Sequence, residues 1–120
     1  MRNAIYLGTF DPVTHGHIDV LREAARIFDN VFAAVGVNPR KTATFSTDER
    51  LEMLREAVRE VAISNVYVVA FDGLTVDCAR EHSASYIVRG LRAVTDFENE
   101  MSLVLANEQL DLAIKTMFLM

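Results

Sequence analysis

Cysteine is nearly absent from this chain, since Cys78 is the only one among 120 residues. A single thiol cannot form an intramolecular disulfide, and no spacing of cysteine and histidine resembles a structural zinc site. The sequence therefore predicts neither a disulfide framework nor a metal bound by protein ligands alone.

Long apolar runs are missing as well. The run at Val66–Phe71 has the length of a strand, whereas a membrane span needs about 18 apolar residues. The N-terminus leads straight into a strand-like segment and lacks the apolar stretch of a signal peptide. The formal net charge of −5 argues against a broad nucleic-acid-binding surface, although a few cations can still hold a small anion. We expect a soluble cytoplasmic protein with no membrane or nucleic-acid partner, folded as a single domain over residues 1–120.

Hydrophobic residues alternate between strand and helix periodicity along the whole chain. Buried strands are predicted at residues 4–7, 31–37, 66–71 and 85–88, and a fifth opens at residues 117–120. Helices are predicted from residue 18 to 28, from a capping box at Ser46 and Glu49 to residue 61, from 74 to 82, and from Asp96 to about Leu112. This alternation predicts an α/β fold, a Rossmann-like doubly wound parallel sheet of about five strands with helices on both faces.

Polar clusters follow three of these strands, at residues 8–17, 38–41 and 89–92. In parallel sheets ligands bind beyond the carboxyl ends of the strands, where the strand order reverses. We therefore expect the three clusters to meet at one edge and form a site.

The first cluster reads G-T-F-D-P at residues 8–12 and T-H-G-H at residues 14–17. Gly8 permits a sharp turn, and the helix that opens near His17 favours an anion at its N-terminus. A tight β–α turn with a surface histidine is the plainer interpretation, and composition alone does not separate the two. Together, however, the two motifs resemble the T/H-x-G-H signature of the nucleotidyltransferase superfamily.

The other two clusters are basic. In the first of these, Arg40 and Lys41 follow Asn38 and Pro39. The two cations suit a phosphate, and the alternative interpretation is an ordinary solvated basic loop. The segment R-G-L-R at residues 89–92 is uninformative alone, but continued by D-F-E-N-E at residues 96–100 it closely resembles the pantetheine-phosphate adenylyltransferase family. The segment F-S-T-D-E-R at residues 45–50 also fits, so the resemblance extends over the whole chain.

The resemblance implies transfer of AMP from ATP, with Mg²⁺, to 4′-phosphopantetheine, giving dephospho-CoA and pyrophosphate. It implies that His17 stabilises the transition state, with Lys41 and Arg92 as further catalytic cations, and that dephospho-CoA or CoA binds as product or feedback ligand. It also implies a homo-oligomer, the family's hexamer. The implied phosphopantetheine contacts are Thr9, Lys41, Thr75 and Arg89, and the implied ATP contacts are Thr9, Phe10, His17, Gly90, Leu91, Arg92 and Glu100.

The sequence departs from the family pattern at three places. Leu7 replaces a proline, Glu108 replaces an arginine, and the serine-rich nucleotide-binding helix expected after Met120 is missing from these 120 residues. Other interpretations are a nicotinamide-mononucleotide adenylyltransferase, a cytidylyltransferase, and a fragment that binds ligand without turnover. An RNA-binding protein related to tRNA synthetases is disfavoured by the acidic charge.

Overall fold

The computed structural model describes residues 2–37, 43–90 and 113–119. Strands and helices alternate through most of this part, as the hydrophobic periodicity predicts. The five strands are β1 (Asn3–Gly8), β2 (Asn30–Gly36), β3 (Val66–Phe71), β4 (Tyr86–Gly90) and β5 (Lys115–Leu119). The three helices are α1 (His15–Ile27), α2 (Thr47–Glu60) and α3 (Thr75–Glu81).

All strand pairs are parallel, and the sheet has the order β3-β2-β1-β4-β5. The chain moves outward from β1 to β2 and β3, then returns to the other side of β1 as β4. The strand order therefore reverses between β1 and β4, where a doubly wound sheet opens a crevice for ligands. This confirms the predicted Rossmann-like fold.

Helices cover both faces of the sheet. On one face α1 and α2 bury a core that includes Leu21, Leu54 and Val35. On the other face α3 buries Val76 and Cys78 against strand residues such as Ile5 and Ile87. Strands β1 and β2 are buried on both faces of the sheet. Their sequences are therefore continuous apolar runs rather than alternating apolar and polar residues.

Both long helices begin at capping boxes. For α2 the predicted pair is present: the Ser46 N–H donates to Glu49 Oε1 at 3.1 Å, and the Glu49 N–H donates to Ser46 Oγ at 3.2 Å. Hydrogen bonding from the Ser46 backbone N–H, and next from its side chain, lowers the pKa of the Glu49 carboxyl because it favours the charged form.

Two strand boundaries were predicted wrongly. Strand β4 continues through Arg89 and Gly90, which the sequence placed in a loop after the strand, and β5 starts at Lys115 rather than Met117. Both differences have one cause, since the two strands pair with each other from Tyr86 and Lys115 to Gly90 and Leu119. The residues at these ends, Arg89 and Gly90 in β4 and Lys115 and Thr116 in β5, carry no apolar signal, so periodicity alone missed them.

No helix in the described ranges is long and apolar enough to cross a bilayer. The helix predicted between Asp96 and Leu112 lies outside the described residues.

Candidate active site

The candidate site lies at the carboxyl ends of β1 and β4, beside the first turn of α1. Strand β1 ends at Gly8 and β4 ends at Gly90, and the two strands are direct neighbours in the sheet. Five residues predicted from the sequence lie here. Thr9 and Phe10 are in the turn between β1 and α1, His17 is in the first turn of α1, and Arg89 and Gly90 end β4. The structure thus brings these five positions to the edge where the strand order reverses.

His17 closes the N-terminus of α1. Thr14 is the N-cap: its backbone N–H donates to His17 Nδ1 at 2.9 Å, and its Oγ1 lies 3.1 Å from the same nitrogen. The His17 N–H in turn donates to Thr14 Oγ1 at 3.4 Å. Because Nδ1 accepts the Thr14 N–H, the neutral ring carries its proton on Nε2. His17 therefore presents an Nε2–H donor at a helix N-terminus, a place that favours anions.

Three aromatic rings hold the β1–α1 turn. The Phe10 ring lies 4.9 Å from His17 and 5.5 Å from Tyr6, measured between centroids, and the second pair is edge-to-face. Phe10 is 1% exposed, and its backbone has a φ of 49°, in the left-handed region that large side chains rarely adopt. A Cβ at Gly8 would lie 3.2 Å from this ring, so a larger residue there would require the ring to shift by a few tenths of an ångström.

Arg89 and Gly90 form the β4 side of the site. Arg89 Nη1 donates to the carbonyl oxygen of Leu7 at 3.2 Å, which ties this partly buried guanidinium to the end of β1. A Cβ at Gly90 would lie 3.1 Å from the Val20 side chain on α1, so helix and strand approach closely here. Together these contacts fix the walls of the crevice between β1, β4 and α1.

Thr75 lies on a different side of this arrangement. It is the first residue of α3, which follows β3 at the edge of the sheet. Helix α3 then packs on β1 and β4 from the face opposite α1. The structure places Thr75 at the carboxyl edge of the sheet, after the edge strand β3 rather than beside the β1–α1 turn. Four further predicted residues, Lys41, Leu91, Arg92 and Glu100, lie outside the described residues.

Sequence reasoning missed two residues that shape the site. Asp11 accepts the N–H groups of Thr44 and Phe45 at 2.6 and 2.8 Å, and so ties the segment before α2 to the β1–α1 turn. Arg50 is buried under the same turn and donates to the carbonyl oxygen of Thr9. Both residues belong to the motifs quoted above, but motifs do not show contacts between residues more than 30 positions apart.

Within residues 2–37, 43–90 and 113–119, no three side chains of histidine, cysteine, aspartate or glutamate come together as a metal site. The donors that the crevice does contain are an imidazole, a guanidinium and backbone N–H groups. Such a set suits an anionic ligand.

Comparison with known proteins agrees with this geometry. A cytidylyltransferase-like family model matches residues 5–120. Two phosphopantetheine adenylyltransferases align with the entire chain over 120 residues: that of Symbiobacterium thermophilum is 52% identical, with 73% of its length covered. That of Desulfitobacterium hafniense strain DCB-2 is 51% identical, with 72% covered.

A solved structure shows the same fold. Nicotinic acid mononucleotide adenylyltransferase from Plasmodium falciparum, complexed with NaAD, superposes with a TM-score of 0.75 at 16% identity, covering 98% of this chain and 64% of that one. At this identity the likeness establishes the architecture alone. The sequence identity of 51–52% across all 120 residues of this chain is far more specific. It shows that the chain belongs to the phosphopantetheine adenylyltransferase family.

Proposed function

We propose that this protein transfers the adenylyl group of ATP to 4′-phosphopantetheine, giving dephospho-CoA and pyrophosphate. One observation supports this above all: His17, capped through Nδ1, stands at the first turn of α1 beside the strand reversal. Family membership supplies the substrates, and the crevice has donors suited to phosphates.

The reaction is a displacement at phosphorus. An oxygen of the phosphopantetheine phosphate attacks the α-phosphorus of ATP, and a new P–O bond forms. The bond between that phosphorus and the oxygen bridging to the β-phosphate breaks, and pyrophosphate leaves with its electron pair. The attacking phosphate is already ionised at neutral pH, so no general base is needed. Catalysis is then a matter of in-line positioning and of neutralising charge on the phosphoryl oxygens.

His17 stabilises the transition state in this proposal. Its Nε2–H donates to a phosphate oxygen, while Nδ1 stays engaged with Thr14 and fixes the ring. Lys41 and Arg92 add positive charge, and Gly90, Leu91 and Glu100 complete the ATP site together with Thr9 and Phe10. Arg89 binds phosphopantetheine with Lys41 and Thr75.

Magnesium belongs to the substrate in this scheme. We propose that Mg²⁺ arrives with ATP, bound by phosphate oxygens, since magnesium in such sites takes most of its ligands from water and phosphate. The described residues contain no acidic cluster that would hold the ion by itself.

A substrate panel tests the proposal. Pyrophosphate release is measured with ATP or CTP, each with 4′-phosphopantetheine or nicotinamide mononucleotide. The expected result is release with ATP and 4′-phosphopantetheine alone. Release with nicotinamide mononucleotide or with CTP would favour the other members of the superfamily, and binding of 4′-phosphopantetheine without release would favour a non-catalytic ligand-binding role.

We further propose a cytoplasmic homo-oligomer whose contacts include the segment from Asp96 to Leu112, with dephospho-CoA or CoA as a feedback ligand. The sequence of that segment supports self-association, because Leu103, Ala106 and Leu110 widen its apolar surface beyond the band that one sheet would cover. Light scattering at micromolar concentration tests it. A mass near 13.5 kDa that does not change on dilution would contradict it.

A further inference from the structure

Arg50 is the one charged side chain buried within the described part of the chain, where it is 5% exposed. It lies in the first turn of α2, beneath the carboxyl ends of β1 and β2. Its Nη1 donates to the carbonyl oxygen of Thr9 at 3.0 Å and to that of Gly36 at 3.2 Å. Its Nη2 donates to Thr47 Oγ1 at 3.2 Å. One guanidinium therefore links the chain just after β1 to the last residue of β2.

Burial of this charge is costly. The three acceptors are two carbonyl oxygens and a hydroxyl, none of them a carboxylate, and Nε has no acceptor among the residues that the structure describes. Taking a guanidinium out of water without a counter-ion opposes folding. An apolar side chain would avoid that desolvation cost but would leave the Thr9 and Gly36 carbonyl oxygens without this donor. What the arginine provides is therefore the hold on these two carbonyl groups.

The hydrogen bond to Thr9 has a consequence for the next residue. A peptide unit is planar and trans, so the Thr9 carbonyl and the Phe10 N–H point in opposite directions along the same plane. By holding the carbonyl inward, Arg50 fixes the direction of the Phe10 N–H away from the α2 side. The orientation of this donor is thus set by a hydrogen bond between residues 41 positions apart, Arg50 and Thr9.

Phe10 needs such a restraint. Its φ of 49° is unfavourable for an aromatic residue and persists only where the surroundings determine it from several sides. The ring contacts with Tyr6 and His17 act on the side chain, and the Arg50 bond acts on the backbone. Strain of this kind is typical of binding sites, where it holds a donor ready for a ligand.

We propose that Arg50 is a positioning residue for nucleotide binding: it holds the Thr9 carbonyl so that the Phe10 N–H faces the bound nucleotide. This rests on the proposed function, which places Phe10 in the ATP site, and we assign its contact there to the backbone N–H. Arg50 acts through the peptide unit and does not touch the nucleotide.

The test compares variants by calorimetric titration with MgATP alone, so that it does not depend on turnover. Arg50→Met removes all three hydrogen bonds. Arg50→Lys keeps a charged group with three N–H donors at the same position. Loss of two hydrogen bonds to the strand ends is expected to weaken ATP binding by about tenfold in Arg50→Met. Arg50→Lys is expected to remain within about threefold of the wild type, since each restored bond recovers part of that energy.

Two more variants keep the test decisive. Thr47→Val removes only the hydroxyl that holds Nη2, so it loosens the guanidinium without leaving a carbonyl unpaired, and an intermediate loss of affinity is expected. Arg55→Met is the matched control, because Arg55 lies on the same helix with its side chain 48% exposed and pairs with Glu52 one turn earlier. Its ATP affinity is expected to equal that of the wild type.

A merely structural role predicts a different result. If Arg50 only stabilised the fold, Arg50→Met would lower the number of binding sites per chain and leave the dissociation constant of the remaining sites unchanged. That outcome, or a wild-type dissociation constant in both Arg50→Met and Thr47→Val, would overturn the proposal. Should the wild type bind ATP yet release no pyrophosphate with 4′-phosphopantetheine, the proposed function fails while the ATP affinities still decide the role of Arg50.

Discussion

The backbone N–H of Thr14 donates a hydrogen bond of 2.9 Å to Nδ1 of His17. This contact gives the imidazole two functions at once. Through Nδ1 it closes the capping box of α1, and through Nε2 it presents a donor to an anion at the same helix end. The two functions are separable by substitution, because glutamate also closes a capping box but carries a negative charge.

We expect His17→Ala to lower turnover by at least about a hundredfold, as loss of one transition-state donor typically does. Loss of the hydrogen bond from the Thr14 N–H should also lower the free energy of unfolding by about 1 kcal/mol. His17→Glu should keep wild-type stability, since it restores the T-x-x-E capping box, yet be at least as inactive because its carboxylate repels phosphate. Urea unfolding and initial rates measure both effects. Near-normal turnover in His17→Ala would remove His17 from the mechanism, and equal destabilisation by glutamate and alanine would contradict the capping role.

The two arginines of the R-G-L-R segment should differ in ligand. Arg89→Ala is expected to weaken 4′-phosphopantetheine more than ATP, and Arg92→Ala is expected to do the reverse. Calorimetric titration with each ligand measures this, and Arg80→Ala serves as the control because its side chain is 51% exposed and pairs with Asp77 on α3. Both arginines acting on the same ligand would contradict the assignment.

Asp11 should be a stabilising residue of the β1–α1 turn. Its carboxylate accepts two backbone N–H groups, so Asp11→Ala leaves both donors without this partner and is expected to lower the free energy of unfolding by about 2 kcal/mol. Asp19→Ala is the control, since its side chain is 73% exposed on α1. Urea unfolding measures both, and equal effects of the two substitutions would show that the Asp11 contacts contribute little.

Cys78 should resist ionisation in the folded protein. Burial, with a smaller contribution from the charge of Glu81, raises the pKa of its thiol to about 11. The ¹³Cβ resonance of this single cysteine should therefore stay at its thiol position up to pH 9.5, whereas in urea it should titrate near about 8.5. Because the folded pKa is the higher one, the associated stability is present below the unfolded pKa and is lost as the pH rises toward 11. A native midpoint near the unfolded value would contradict the burial of Cys78.

Local patterns in the sequence predicted most of the fold correctly. The capping box at Ser46 and Glu49 starts α2 where expected, because the residues that form it lie three positions apart and need no distant partner. The apolar segments around Ile5, Val35 and Ile87 became sheet strands because each is long enough to be buried on both faces. The start of α1 was harder to predict, because its capping box has His17 at the position where glutamate or glutamine is usual.

Contacts between residues far apart in the chain could not be predicted from the sequence. Arg50 reads as a polar residue on an amphipathic helix, and a charged side chain is normally expected at the surface. Its burial depends on two carbonyl oxygens from other elements, 14 and 41 positions away. The left-handed backbone of Phe10 was equally invisible, because aromatic residues do not favour that conformation and only the packed turn imposes it.

The most direct test of the proposed function is a stoichiometry measured on one reaction. MgATP and 4′-phosphopantetheine are incubated with the wild-type chain, and pyrophosphate and dephospho-CoA are quantified together, with His17→Ala in parallel. We predict one dephospho-CoA for each pyrophosphate, both formed about a hundredfold more slowly by His17→Ala. Pyrophosphate without dephospho-CoA, or equal rates for the two proteins, would contradict the account.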